Sequence, residues 1–215
     1  MHSCVAGLWP FQGLARRRLF RLCFRCMDTR SSASSQSAGS LCLTLVGMAG
    51  AGKTTVGRLL AKGLGWAHLD TDRLIEAYYG LDLQTVFDCL GLAGFIDAED
   101  KIVAMLGTRR CVISTGGSVI YGTRAIARLK ALGPILFLRT SAQVVRQRIG
   151  SAEHRGLAIS EGQTLEALHA ERQPLYERAA DMTFDTDVCD AEPLAARILD
   201  WLDSQRADGR QETSL

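Results

Sequence analysis

The stretch GMAGAGKT, residues 47–54, decides the fold of this chain of 215 residues. It matches the pattern G-x-x-x-x-G-K-[ST] and lies between a strand-like apolar run, LCLTLVG (41–47), and a helical pattern, KTTVGRLLAKGL (53–64). This is the context that the pattern requires. Glycines let the backbone curl so that its N–H groups face a phosphate, and the N-terminus of the following helix adds partial positive charge. The stretch therefore predicts a phosphate-binding loop, here called the phosphate loop.

The phosphate loop supplies the predicted contacts to a nucleotide. Lys53 would bridge the β- and γ-phosphates as a catalytic residue, and the Thr54 hydroxyl would bind Mg²⁺. A chance glycine-rich turn is the competing interpretation, and the strand and helix on either side argue against it. The predicted cofactor-binding residues of the loop and the following helix are Gly47, Gly50, Gly52, Lys53, Thr54 and Thr55.

From Leu41 onward, short apolar runs alternate with helical patterns. Such alternation predicts an α/β fold in which a five-stranded parallel sheet carries helices on both faces. The other strand-like runs are WAHLDTD (66–72), RCVISTGG (110–117), PILFLRT (134–140) and DMTFDTD (181–187). Helical patterns lie at about 72–79, 82–90, 94–107, 122–132, 141–149, 163–179 and 190–204.

The two ends of the chain differ from its centre. We predict a leader at 1–40, one domain at 41–204 and a disordered tail at 205–215. The first 26 residues contain five arginines and no acidic residue, which is typical of a mitochondrial-type transit peptide. A start codon assigned too early, with Met27 as the natural start, explains the same pattern and is favoured.

Composition argues against several functional classes. Without the first 26 residues, 20 basic residues face 23 acidic ones, so the domain gives no general electrostatic case for nucleic-acid binding. No apolar run reaches the length of a membrane span. The seven cysteines are an odd number, and those of the domain are scattered singly in apolar surroundings. They indicate core thiols in a reducing, cytoplasmic location.

Polar or glycine residues follow two further strands of the predicted sheet. Asp70 and Asp72 end the second strand, and Gly116 and Gly117 end the third, where a side chain would block close approach of a ligand. Ligands of open parallel sheets bind at the carboxyl ends of the strands. An aspartate pair that caps the following helix is the alternative interpretation of Asp70 and Asp72.

An ordered set of motifs from about Leu41 to Leu202 resembles the shikimate kinase family. The motifs are G-M-A-G-A-G-K-T-T-V-G-R-x-L-A, L-D-T-D-x-x-I-E, F-x-x-x-E, S-T-G-G, the arginine of E-H-R-G, and E-R-x-P-L-Y-x-x-x-A. The resemblance implies a P-loop fold similar to nucleoside monophosphate kinases, a single domain with a mobile lid at about 150–162, and ATP and Mg²⁺ as cofactors. It further implies transfer of the γ-phosphate to a hydroxyl of a small metabolite of amino-acid biosynthesis. We expect a monomer that binds neither nucleic acid nor membrane.

The resemblance also implies roles for individual residues. Asp70 would support the hydrated Mg²⁺, and Asp72 would hold the acceptor hydroxyl, with a role as base left open. Arg155 of the lid would reach the transferring phosphate, and Arg148 would lie against adenine. Arg172 would clamp a substrate carboxylate, which suits the fork of a guanidinium group. A solvated loop arginine and an ordinary helix salt bridge are the competing interpretations of Arg155 and Arg172.

The chain departs from the family in the segment GFIDAED (94–100). Phe95 and Glu99 are kept, but Leu92 and Ile96 replace the family's glutamate and a second clamp arginine. Ser118 stands in place of a third glycine, and Gly156 in place of a proline after the lid arginine. The residues for phosphoryl transfer are thus kept, and those for the acceptor are altered.

These departures leave one cation, Arg172, around the predicted acceptor site, together with the anions Asp72, Asp97 and Glu99. An acceptor with one carboxylate and one ammonium group would suit that charge pattern, and homoserine is the expected acceptor. A shikimate kinase with a variant pocket, a kinase of another small alcohol such as gluconate, and a catalytically silent binding protein are the alternatives. The predicted substrate-binding residues are Asp72, Ile96, Asp97, Gly116, Gly117 and Arg172.

Overall fold

The computed structural model describes residues 41–149, 158–159 and 162–211, with the main chain alone at 149 and 206–211. The predicted leader and the lid residues 150–157 and 160–161, which include Arg155 and Gly156, lie outside the described residues. Roles assigned to them therefore stay predictions.

The strands form one parallel sheet, as the sequence predicts. They are β1 (Leu43–Val46), β2 (Ala67–Asp70), β3 (Cys111–Ser114), β4 (Ile135–Arg139) and β5 (Met182–Asp185). Their order across the sheet is β2-β3-β1-β4-β5, and every neighbouring pair is parallel. The chain crosses over β1 between β3 and β4, so the crevice at the carboxyl end of β1 is where such a sheet binds ligands.

The helices follow the predicted alternation. They are α1 (Lys53–Leu64), α2 (Thr71–Tyr79), α3 (Leu83–Ala104), α4 (Thr123–Leu132), α5 (Ala142–Ile149), α6 (Leu165–Ala179) and α7 (Ala191–Gln211), with a short 3₁₀ helix at Gly117–Tyr121. Helix α1 has the predicted bounds, because a left-handed glycine stands at each end, Gly52 before it and Gly65 after it.

Both faces of the sheet are covered by helices. Leu43 and Leu45 of β1 pack in a cluster with residues of α1 and α7, whereas Val46 packs in a second cluster with residues of α3, α4 and α6. Successive side chains of a strand point to opposite faces, so full burial of β1 requires both layers. A third cluster joins α2 and α3 to Ala158.

Two predicted boundaries are corrected, and one short element was not predicted. Helix α7 continues to Gln211, so the disordered tail predicted from residue 205 is wrong for residues 205–211. The helical patterns at 82–90 and 94–107 form one element, α3, which kinks at Gly91 with φ 66° and ψ 174°. Only glycine adopts this conformation at little cost. The 3₁₀ helix that follows the Gly116–Gly117 pair was not predicted.

The described residues can be compared with two further expectations from the sequence. Among them, no helix combines the length and the apolar character that crossing a membrane requires. Cys42 and Cys111 are buried as expected, but Cys89 is exposed and Cys189 is only partly buried. The interpretation of all domain cysteines as core thiols is therefore wrong for Cys89, which lies on an outward face of α3.

Candidate active site

A cavity of about 570 Å³ lies at the carboxyl ends of the strands. The phosphate loop and the first turn of α1 form one wall, and residues after β5 and at the start of α7 form the other. Its volume falls within the range of small-molecule clefts. We call it the nucleotide cavity.

The phosphate loop has the backbone that its glycines predicted. Gly47, Gly50 and Gly52 have φ values of 146°, 75° and 90°. A β-carbon on Gly47 would stand 2.6 Å from the Leu138 carbonyl oxygen of β4, so a side chain there would collide with the neighbouring strand. Left-handed backbone and close packing both require glycine at this turn.

Lys53 lies over the phosphate loop rather than out in solvent. Its Nζ donates to the carbonyl oxygens of Gly47 and Met48, at 2.8 Å each. Burial lowers the pKa of Lys53 to about 8, against the opposing attraction of Asp72 and Asp70. The ammonium group can exchange these carbonyl partners for phosphate oxygens without a change of fold.

Thr54 and Asp70 meet beside the loop in a pair that fits Mg²⁺. The Thr54 hydroxyl donates to Asp70 Oδ2 at 2.8 Å, and Asp70 Oδ1 accepts from the Asp72 amide at 3.1 Å. Asp70 thus also caps α2, so the capping alternative and the metal role are compatible. No group of three or more His, Cys, Asp or Glu residues suited to a metal is present within the described ranges. Mg²⁺ in kinases takes few protein ligands besides phosphate oxygens and water, and Thr54 and Asp70 would be those ligands here.

Arg148 closes one side of the nucleotide cavity. Its guanidinium donates to the main-chain oxygen of Thr186 at 3.1 Å and to that of Gly50 at 3.3 Å. The structure therefore places Arg148 at the cavity, and its contact with adenine stays a prediction. Sequence reasoning missed the residues after β5 that also line it, including Thr186, Cys189 and Asp190. Their position just after a strand was the available signal.

Asp72, Glu99 and Arg172 cluster around Gly116 and Gly117, and we call this cluster the acceptor pocket. A β-carbon on Gly116 would clash with Glu99 Oε1 and stand 2.5 Å from Asp72 Oδ1. A β-carbon on Gly117 would stand 3.1 Å from Nη1 of Arg172. The glycine pair therefore has carboxylates on one side and a guanidinium group on the other.

Arg172 is 1% exposed and is held by neutral groups. Its Nε donates to the Tyr121 hydroxyl at 3.2 Å, its Nη2 donates to the Ala158 carbonyl oxygen at 2.5 Å, and the guanidinium carbon lies 5.2 Å from the Tyr121 ring centroid. Arg172 makes no ion pair in the part of the chain that the structure describes, so an ordinary helix salt bridge does not explain it. A buried guanidinium group without a carboxylate partner is suited to bind an anionic ligand.

Asp72 is half-buried and lies between the two sites. It lines the nucleotide cavity and also faces Gly116. Burial, together with the neighbouring charge of Asp70, raises the pKa of Asp72 to about 6. At neutral pH the carboxylate remains mostly ionised and can accept a hydrogen bond from a hydroxyl that faces the phosphate loop.

The expectation that Asp97 binds the acceptor is contradicted. Its side chain is 53% exposed and pairs with Lys101 at 2.5 Å and with Arg124 at 3.2 Å. Asp100 instead turns toward α4, where it accepts from the Ala125 amide at 2.7 Å. Helical geometry explains the error, because residues two apart on α3 face different directions, and only Glu99 faces the acceptor pocket.

Ile96 is partly buried on α3, one turn before Glu99. Residues three apart lie on the same helix face, so Ile96 is near the acceptor pocket without contributing a polar group to it. Glu99 was expected among the anions around the acceptor site, and the structure places it there. Tyr121 was not predicted, because it lies in a segment without a motif.

A family model described as shikimate kinase matches residues 49–203. The chain belongs to the shikimate kinase family. Shikimate kinase 1 of Sodalis glossinidius (strain morsitans) is 38% identical over 164 residues, which cover 74% of this chain and 95% of that protein. The shikimate kinase of Actinobacillus pleuropneumoniae serotype 5b (strain L20) is 37% identical over 163 residues, with coverage of 74% and 94%.

A solved structure agrees with these relatives. Shikimate kinase from Acinetobacter baumannii, in complex with shikimate, matches with a TM-score of 0.71 at 35% identity, covering 77% of this chain and 94% of that one. As a member of the shikimate kinase family, the chain is an ATP-dependent phosphotransferase that uses Mg²⁺ and acts on a hydroxyl group of a small molecule.

The comparisons bear on the expected acceptor. The three relatives above are named as shikimate kinases, and none of their names mentions homoserine. They support the alternative of a shikimate kinase with a variant pocket better than the expectation of homoserine. Asp97 was one of the three anions on which the homoserine argument relied, and its position on the outer face of α3 weakens that argument.

Proposed function

We propose that the chain transfers the γ-phosphate of ATP to a hydroxyl group of shikimate. The observation that carries the proposal is the arrangement around Gly116 and Gly117. Asp72 faces the first glycine and the buried guanidinium group of Arg172 lies beside the second. An acceptor with a carboxylate at one end and hydroxyl groups at the other matches this polarity.

Arg172 supports the proposal because, among the described residues, no carboxylate forms an ion pair with its guanidinium group. Tyr121 and Ala158 hold its Nε and Nη2, which orients the guanidinium group before any ligand binds. Preorganisation reduces the ordering cost of binding. Nη1, which lies beside Gly117, would then bind the acceptor carboxylate.

Asp72 would bind the hydroxyl that receives the phosphoryl group. Because it lines the nucleotide cavity as well as the acceptor pocket, it can orient the hydroxyl toward the phosphate loop and accept its proton. Phosphoryl transfer needs mainly such positioning and charge neutralisation from the protein.

The phosphate loop would supply the rest of the machinery. Its amides and Lys53 would hold the nucleotide phosphates, Thr54 and Asp70 would hold Mg²⁺, and Arg148 would border the base. Mg²⁺, when bound, neutralises charge on the phosphate oxygens. The assignment of Arg155 to the transferring phosphate stays a prediction.

Ile96 sets a limit on acceptor affinity. Where the family has a second clamp arginine, this chain offers an alkyl group. A charge-assisted hydrogen bond contributes about 1.5 to 3 kcal/mol. We therefore expect shikimate to bind more weakly here than to a variant that carries arginine at position 96.

The test is ADP release by the full chain with shikimate, homoserine, gluconate or no acceptor, together with mass analysis of the products. We expect release that depends on shikimate, with a product heavier by one phosphoryl group. Homoserine and gluconate should stay near the rate without acceptor. A higher kcat/KM with homoserine than with shikimate would overturn the proposal.

A further inference from the structure

Glu99 is the most unusual group of the acceptor pocket. The residue is 1% exposed, and its Oε1 is buried without a hydrogen-bond partner among the described residues. Buried carboxylate oxygens are costly when unpaired, and an unsatisfied one in a native structure calls for a partner beyond the described residues, such as a ligand or a water molecule.

Ser118 determines how Glu99 is oriented. Its hydroxyl donates to Glu99 Oε2 at 2.5 Å, and Ser118 itself is 3% exposed in the 3₁₀ helix that follows the glycine pair. This is the only hydrogen bond of the Glu99 carboxyl to a side chain in the described ranges. With Oε2 fixed by Ser118, Oε1 is left facing Gly116.

The position of Oε1 indicates what it can bind. A single β-carbon on Gly116 would touch both Glu99 Oε1 and Asp72 Oδ1, so the two oxygens approach the same point from different helices. Two carboxyl groups around one point suit a ligand with neighbouring hydrogen-bond donors.

We propose that Ser118 is a positioning residue, which holds Glu99 so that its Oε1 pairs with an acceptor hydroxyl next to the one bound by Asp72. The proposal rests on the function proposed above and deepens it.

The protonation state of Glu99 does not prevent this pairing. Burial raises the pKa of Glu99 to about 8, against the opposing effects of Ser118, Arg172 and Lys53. A hydroxyl both donates and accepts, so it can pair with the ionised or the protonated carboxyl.

The residue at position 96 bears on the role proposed for Ser118. Arginine at that position would lie on the same helix face as Glu99, three residues away, and could pair with its carboxylate. Ile96 cannot do so, and Ser118 is the described side chain that holds the carboxyl instead. The roles of positions 96 and 118 should therefore be coupled.

The test is a double-mutant cycle with Ser118→Ala, Ile96→Arg and the double variant, measured with shikimate and ATP. We expect Ser118→Ala to raise KM for shikimate about tenfold and to leave KM for ATP within about twofold. In the Ile96→Arg background, the same change should raise KM for shikimate less than about threefold, because the introduced arginine holds Glu99. Ser118→Thr, which keeps the hydroxyl, should stay within about threefold of the parent.

The outcomes separate the two proposals. If the parent phosphorylates shikimate but Ser118→Ala leaves its KM unchanged, or the effect is equal in both backgrounds, the role of Ser118 is wrong and the proposed function stands. If Ser118→Ala raises KM for shikimate and KM for ATP to the same extent, Ser118 has a general structural role. That result would also overturn the proposed role of Ser118. If the parent does not phosphorylate shikimate, both proposals fail.

Discussion

The phosphate loop takes its shape from eight consecutive residues, whereas the acceptor pocket is assembled from segments spread between residues 72 and 172. The loop binds mainly through its main chain and one lysine, so a short motif can encode it. The pocket depends on side chains of α2, α3 and α6 around one glycine pair. The two sites therefore tolerate amino-acid substitutions differently. The loop must keep its motif, whereas in the pocket one side chain can take over the contact of another.

The largest effect is expected at the phosphate loop. Lys53→Met should lower kcat at least about a hundredfold, since a preorganised charge at the phosphates is lost. The fold should persist, because the ammonium group bonds only to loop carbonyls. Turnover and melting temperature are measured beside Lys130→Met, an exposed control. A variant that keeps more than about a tenth of the parent turnover would show that the role of Lys53 is wrong.

In the acceptor pocket, Arg172→Lys should raise KM for shikimate by about ten- to a hundredfold. Lysine lacks the planar fork and cannot keep both the Tyr121 and Ala158 contacts while binding a carboxylate. KM for ATP should stay within about threefold, which separates the two sites. Arg139→Lys, in the exposed pair with Asp185, is the matched control. Equal changes in both KM values would contradict the division into two sites.

Glu99 should make stability depend on pH. Burial raises its pKa from 4.5 to about 8, so between these values the folded state keeps a proton that the unfolded state has released. This contribution is complete below about 4.5 and is lost as the pH rises toward 8. Asp72 changes the stability in the same direction, because its pKa is also raised. Most of its contribution is lost once the pH reaches its folded pKa of about 6.

Glu99→Gln isolates that contribution. The parent should lose several degrees of melting temperature between about pH 6.5 and 8, and the variant should lose less, because glutamine does not titrate. Thermal denaturation across this window measures the difference. If the melting temperature falls equally with pH in the parent and in the variant, the Glu99 carboxyl is already ionised across this pH range.

The smallest effect is expected at Asp97. Asp97→Asn should leave KM for shikimate and for homoserine within about twofold and the melting temperature within about two degrees, because its ion pairs are exposed. A selective loss of turnover with an amino-acid acceptor would show that Asp97 does bind the acceptor.

Much of the fold could be predicted, and the reason lies in its local signals. Apolar runs and helical periodicity located all five strands, and the two glycines around α1 marked its bounds. The continuation of α7 and the 3₁₀ helix after Gly116 were missed, since neither carries a strong local signal. On the site, the placement of Lys53, Thr54, Asp70 and Arg172 followed from motifs.

The direction of each side chain on α3 could not be predicted in the same way. GFIDAED has three acidic residues, and the sequence does not say which face of the helix meets the glycine pair. Asp97 was placed in the pocket and lies outside it, while Glu99 is buried within it. A shift of two residues along a helix changes the direction by more than half a turn.

The sequence by itself determined the parallel sheet, the phosphate loop and the family, because these depend on patterns within short segments. Only the tertiary structure decided the partners of the acceptor pocket. Tyr121 and Ala158 hold Arg172, and Ser118 holds Glu99, through contacts between segments that are 14 to 51 residues apart. The physical reason is that hydrogen bonds act over about 3 Å. Their partners are therefore determined by the packing of the helices on the sheet, which no local pattern records.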